Sequence, residues 1–141
     1  MKALKKIFRP FLAIVMITIF LTGCGQLNTV ESLVVSNEPY TAKEDIEDAV
    51  QPEQVSARTD IYASIYFIES PKGMEYTGKW YLNGEEIKSD TQETITDKSG
   101  AVIYRLEADD VKKGSLQFEI FYNNELLSSK ELTVKLWRGK P

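Results

Sequence analysis

The 141-residue chain has no histidine and a single cysteine, Cys24. Without histidine there is no ordinary general base near neutral pH, which excludes serine or cysteine nucleophiles activated by histidine and removes the commonest metal ligand. One cysteine excludes an internal disulfide and any cysteine-rich zinc site. Basic residues are also few, 17 Lys and Arg against 21 Asp and Glu, and four of them, Lys2, Lys5, Lys6 and Arg9, crowd the start of the chain. The one long apolar stretch, Phe11 to Leu21, has 11 residues. As a helix it would reach roughly 16 Å, about half of a ~30 Å hydrocarbon core, so a permanent span is the weaker reading and a signal sequence fits better.

A basic segment, then an apolar one, then small residues is the order found in a secretory signal. The stretch ends in Leu21, Thr22, Gly23 and Cys24. These four resemble the lipobox of bacterial lipoproteins. The resemblance implies cleavage before Cys24, a diacylglycerol thioether on its sulfur, and a protein lipid-anchored to the cell membrane at its extracytoplasmic face. Two acyl chains hold a protein stably where a single myristoyl chain is marginal. Gly25 stands where some Gram-negative lipoproteins carry an aspartate as an inner-membrane retention mark, so that mark is missing.

Removing residues 1–23 takes four of the 17 basic residues and no acidic one, which leaves 118 residues with 13 basic against 21 acidic, a net of −8. That balance argues against nucleic acid as a partner and against direct adsorption to anionic lipid. Residues 24–54 read as a lipidated N-terminus and acidic linker. Leu33, Val34 and Val35 form one short apolar run suited to an edge strand. Thr41 and Glu44 have the form of a capping box, with Ile46, Ala49 and Val50 at helical spacing and Pro52 as a stop. A short acidic helix and a solvated acidic linker remain equally open for Thr41 to Val50.

From Asp60 the apolar period becomes two. Ile61, Ala63, Ile65 and Phe67 alternate with Tyr62, Ser64, Tyr66 and Ile68, as in a half-buried strand. Asn83 and Gly84 lie between strand-like flanks and suit a type I′ hairpin turn, which would set Leu82 against Glu85, Tyr81 against Glu86, Trp80 against Ile87 and Lys79 against Lys88. Trp80 and Ile87 would then share the core face. Asn123 and Asn124 mark a second turn. A strict pairing there conflicts with the even-numbered apolar residues Leu132, Val134 and Leu136, so a bulge is expected near Ser128 and Ser129.

Six or seven short strands with regular turn signals predict an all-β fold, an antiparallel β-sandwich, over residues 55–137. Trp80 lies like the core tryptophan of a third strand, and Gly114, Ser115, Leu116, Gln117 and Phe118 like the start of a sixth. In these residues the domain resembles the immunoglobulin-like domains of bacterial cell-surface lipoproteins. It departs from the antibody pattern in having no disulfide pair and in placing Leu116 where a tyrosine corner would put a hydroxyl.

The reading that follows is a non-enzymatic binding module with no cofactor, no metal and no catalytic residue. Its contact face would carry Tyr81 and Phe121 among Lys79, Glu86 and Glu119, a surface suited to an envelope protein or glycan. A glycan hydrolase working with carboxylates alone is an alternative, with Asp109, Asp110, Glu85, Glu86 and Asp90 available. Neighbouring residues of a strand point to opposite faces, so neither adjacent pair makes a natural dyad. A calcium-stabilised accessory subunit, with Asp90, Asp97, Asp109 and Asp110 as loop oxygen ligands, is another.

Overall fold

The computed structural model describes residues 29–136. Cys24 and the lipobox residues Leu21, Thr22 and Gly23 lie outside them. Among the described residues eight strands form two sheets. β1 (Val30–Ser36), β3 (Ile61–Ser70) and β6 (Lys98–Leu106) make a three-stranded sheet in the order β1-β3-β6. β2 (Gln54–Ser56), β4 (Glu75–Leu82), β5 (Glu85–Glu93), β7 (Gly114–Tyr122) and β8 (Glu125–Lys135) make a five-stranded sheet in the order β2-β8-β7-β4-β5. Every pairing is antiparallel except β2 with β8. A two-sheet arrangement of this connectivity is an immunoglobulin-like β-sandwich.

The period of two places the core as the sequence suggests. Ile61, Ala63, Ile65 and Phe67 of β3 are all buried, flanked in their own sheet by Tyr104 and Leu106 of β6, and share one core with Tyr76 and Trp80 of β4 and Leu116, Phe118 and Ile120 of β7 from the other sheet. Trp80 is fully enclosed, with its ring 4.8 Å from that of Phe118. Its indole N–H finds no hydrogen-bond partner among the described residues, so packing alone carries its contribution. Gly78 lies one inward step from Trp80. A Cβ there would stand 2.7 Å from Tyr104 Cδ1 and 2.9 Å from the Phe118 ring, so glycine is what lets the two sheets close at this point.

The sandwich begins earlier than residue 55. β1 pairs along β3 from Val30 to Ser36, and Val34 and Val35 are buried. The stretch expected as a linker is part of the fold from residue 29 onward. A boundary at residue 55 would also cut through β2. The helix alternative holds for Thr41 to Val50 in shortened form, as α1 (Lys43–Asp48) with Ile46 buried. No capping box forms: the N-cap is Ala42, without a side-chain bond. Val50 is 88% exposed, because the chain leaves the helix at Ala49.

Both hairpins of the larger sheet carry a bulge. In β4–β5 the pairs Leu82–Glu85 and Tyr81–Glu86 form as expected, but Trp80 then faces Lys88 and Lys79 faces Ser89. Ile87 is the extra residue and is not on the core face. The shift turns Lys88, Asp90 and Gln92 inward at the open side of the sandwich. Lys88 Nζ donates to Arg105 O at 2.7 Å and Gln92 Nε2 to Ile103 O at 2.7 Å, so polar side chains satisfy the unpaired carbonyls of edge strand β6. In β7–β8 the extra residue is Leu127, one position before the expected Ser128. It brings Leu132 and Val134 into the core, while Leu136 lies beyond β8 and is exposed. At the opposite edge the Gln51 amide receives Val35 N–H at 2.9 Å and donates to Val35 O at 2.7 Å.

Candidate functional site

Outward residues alternate along β4 and β7, and antiparallel pairing sets Lys79 opposite Glu119, Tyr81 opposite Gln117 and Thr77 opposite Phe121. The hairpin adds Glu86 opposite Tyr81. All four residues expected to form a contact face, Tyr81, Phe121, Lys79 and Glu86, are therefore brought together on the outer face of the five-stranded sheet. Lys79 is their hub. Its ammonium lies 3.6 Å from Glu86 Oε1 and 5.3 Å from the centre of the Phe121 ring. Such a cation over a ring face holds both side chains in one arrangement. Partial burial first, and then the neighbouring Glu119 carboxylate and the Glu86 charge, hold the Tyr81 phenol above its ordinary value of 10. Gln117 Nε2 donates to Glu119 Oε2 at 3.3 Å, and the Thr77 and Thr91 hydroxyls bond at 2.8 Å on the same face. The surface is amphipathic and cross-linked by side chains.

The other acids named in the sequence are dispersed. Asp90 is in strand β5 opposite Gly78, not in a loop. Asp97 is between β5 and β6, and Asp109 and Asp110 belong to a single 3₁₀ turn between β6 and β7. Four acids so distributed do not form one oxygen cage, which corrects the loop placement behind the calcium alternative. Among the described residues no group of three or more acids, histidines or cysteines is placed to hold a metal ion. Glu85 and Glu86 are successive residues of β5 at the turn, where Glu86 bonds to Lys79. No described helix is long and apolar enough to cross a membrane.

One feature escapes sequence reasoning. Arg58, Lys112 and Lys113 border an open cleft of about 610 Å³ floored by Ala57 and Val111, with Asp109 and Leu136 at its rim. None of the three cations has an ion-pair partner within 4 Å among the described residues. Arg58 has a positive φ of 63°, and its N–H bonds to Val111 O at 3.0 Å. The Lys112–Lys113 pair is visible in the sequence, but nothing there brings Arg58 to it.

No protein-family model matches the chain, and no curated protein matches its sequence. Solved structures share its architecture. An immunoglobulin-like protein from Pseudomonas aeruginosa is 12% identical, covering 79% of this chain and 98% of its own, with a TM-score of 0.49. The CARDB domain of a Pyrococcus furiosus protein, in complex with di-metal ions, is 9% identical over 81% of this chain and 100% of its own, with a TM-score of 0.41. A superoxide reductase (neelaredoxin) from Ignicoccus hospitalis is 14% identical over 76% of this chain and 82% of its own, also with a TM-score of 0.41. At these identities the likeness concerns fold, and no activity or ligand transfers with it.

Proposed function

We propose that this protein is a non-enzymatic interaction module held by lipid on Cys24 at the extracytoplasmic face of the cell membrane. Its contact surface is the outer face of the five-stranded sheet around Tyr81, Phe121, Lys79 and Glu86, and its partner is a protein or glycan of the envelope. The observation that carries this reading is the arrangement around Lys79, whose ammonium pairs with Glu86 and lies over the Phe121 ring, with Tyr81 on the same outer face. Aromatic groups fixed in this way offer contact area at little cost in side-chain freedom, and the charged groups set orientation. The lipobox sequence and the acidic balance of the mature chain support attachment through the lipid rather than through surface charge.

The test is a double variant, Tyr81→Ala with Phe121→Ser, used as bait in a pull-down from solubilised envelope beside the parent protein. Lost capture of a specific component at unchanged melting temperature is expected. Unchanged capture with unchanged stability would remove this face as the site. For the anchor, Cys24→Ser should release the protein from the membrane fraction; retention through a high-salt wash would overturn the lipid attachment.

A further inference from the structure

The first described residues are pinned to one end of the sandwich. The Thr29 side chain is buried, its hydroxyl lies 2.6 Å from the Tyr76 hydroxyl, and its carbonyl accepts Ile68 N–H at 2.8 Å. The Tyr76 hydroxyl is also 2.9 Å from Ser70 Oγ, and its ring stacks on Phe67 at 4.0 Å. Thr29 thus belongs to the pole built by residues 71–74, residues 94–97 and the Asn123–Asn124 turn. The Asn83–Gly84 turn, the 3₁₀ turn and the end of β8 lie at the other pole, where Asn83 N–H bonds to Ser115 O.

Four residues, 25–28, separate Cys24 from Thr29. The chain can span at most about 18 Å between their Cα atoms. β4 alone rises roughly 26 Å along the domain at ~3.3 Å per residue. The connection is therefore shorter than the body it would hold, and it leaves from one pole only. Building on the lipid-anchor reading of Cys24, we infer that the pole around Lys72, Ile95 and Asn124 rests against the lipid headgroups and that the Asn83–Gly84 pole points away from the membrane. Ile95 supports this assignment: it is 83% exposed at the tip of its loop, on the side that would meet the bilayer interface. Lys72 and Lys98 are exposed on the same pole, but so are Glu69, Glu75, Glu93, Asp97 and Glu125, so the short connection and not charge holds this pole to the membrane. The net charge of −8 after residue 23 opposes adsorption of the domain on anionic lipid in general, which leaves the tether to set the orientation. The contact face around Lys79 then stands upright, and the cleft of Arg58, Lys112 and Lys113 opens outward.

The experiment uses the full lipidated protein carrying Lys72→Cys or Glu85→Cys, each labelled with a fluorophore. The thioether blocks Cys24, so the introduced thiol is the one that reacts. Vesicles of phosphatidylethanolamine and phosphatidylglycerol carry a headgroup quencher. Quenching at residue 72 should be severalfold stronger than at residue 85, and equal or reversed quenching overturns the orientation. A flexible insertion of about 20 residues after Gln26, with a reach of about 25 Å, should bring the two sites toward equality. An undiminished difference would mean that adsorption rather than the short connection orients the domain, and overturns this account. Protein that fails to float with the vesicles overturns the anchor itself, and the orientation with it; floating protein with equal quenching overturns the orientation alone.

Discussion

Hairpin β4–β5 turns at Asn83–Gly84 and hairpin β7–β8 at Asn123–Asn124, with both central residues at positive φ in each. Each then inserts one extra residue at the same distance past the turn, Ile87 in the first and Leu127 in the second. Their inner faces nevertheless diverge. β8 lies between β7 and β2 and sends Leu132 and Val134 into the core, and Leu127 packs against it. β5 is an edge strand whose inward residues are Lys88, Asp90 and Gln92, and its Ile87 is 37% exposed. Local turn chemistry thus sets the geometry of both hairpins, whereas neighbouring strands decide what each one buries.

The sharpest way to break this comparison is through the first strands, β4 and β7, which are both central and should tolerate truncation equally badly. Trp80→Ala should cost about 3–5 kcal/mol and Ile120→Ala about 2–5 kcal/mol in urea unfolding. A loss below about 1 kcal/mol at either site would show that its strand is not a core strand. Next in size is Gly78→Ala. The added methyl meets Tyr104 and Phe118 below 3 Å, and such overpacking should cost about 1–3 kcal/mol. The same substitution at Gly84, where nothing lies within 4 Å of the new Cβ, tests backbone strain alone. At φ +84° it should cost about 1–2 kcal/mol. Asn124→Gly in the other turn should be neutral or slightly stabilising, since Asn124 already holds a φ of 65°. Equal losses at Gly84 and Asn124 would show that the two turns are not equivalent.

What could be read from the sequence follows the same division. The alternation of Ile61 to Phe67, the Asn-Gly turn, the inward Trp80 and the need for a bulge in β7–β8 are consequences of periods and turn residues within a few positions of each other. The bulge at Ile87 was not legible from apolar parity, because the inward residues of β5 are polar: Lys88 and Gln92 find their acceptors, the carbonyls of Arg105 and Ile103, on the other sheet. β1 was legible only as an isolated apolar run. Its place beside β3 depends on pairing across some thirty residues and on the Gln51 amide that finishes its outer edge. The proposed contact face drew on both sources. Strand parity put Lys79 and Tyr81 outward and the hairpin register added Glu86, but the approach of Phe121 to Lys79 comes from the β4–β7 pairing.

The smallest effect distinguishes the two bulges themselves. Ile87 and Leu127 occupy equivalent positions, so if bulge geometry alone governed burial, truncating either should cost the same. Leu127 touches the core cluster and Ile87 projects from an edge. Leu127→Ala should therefore cost about 1 kcal/mol, as expected for a partly buried leucine. Ile87→Ala should stay within about 0.5 kcal/mol of the parent, as surface substitutions do. Urea titrations with a shared m-value resolve that gap. If both variants lose the same amount, flanking strand β2 and the core beneath β8 do not set burial, and bulge geometry alone governs it.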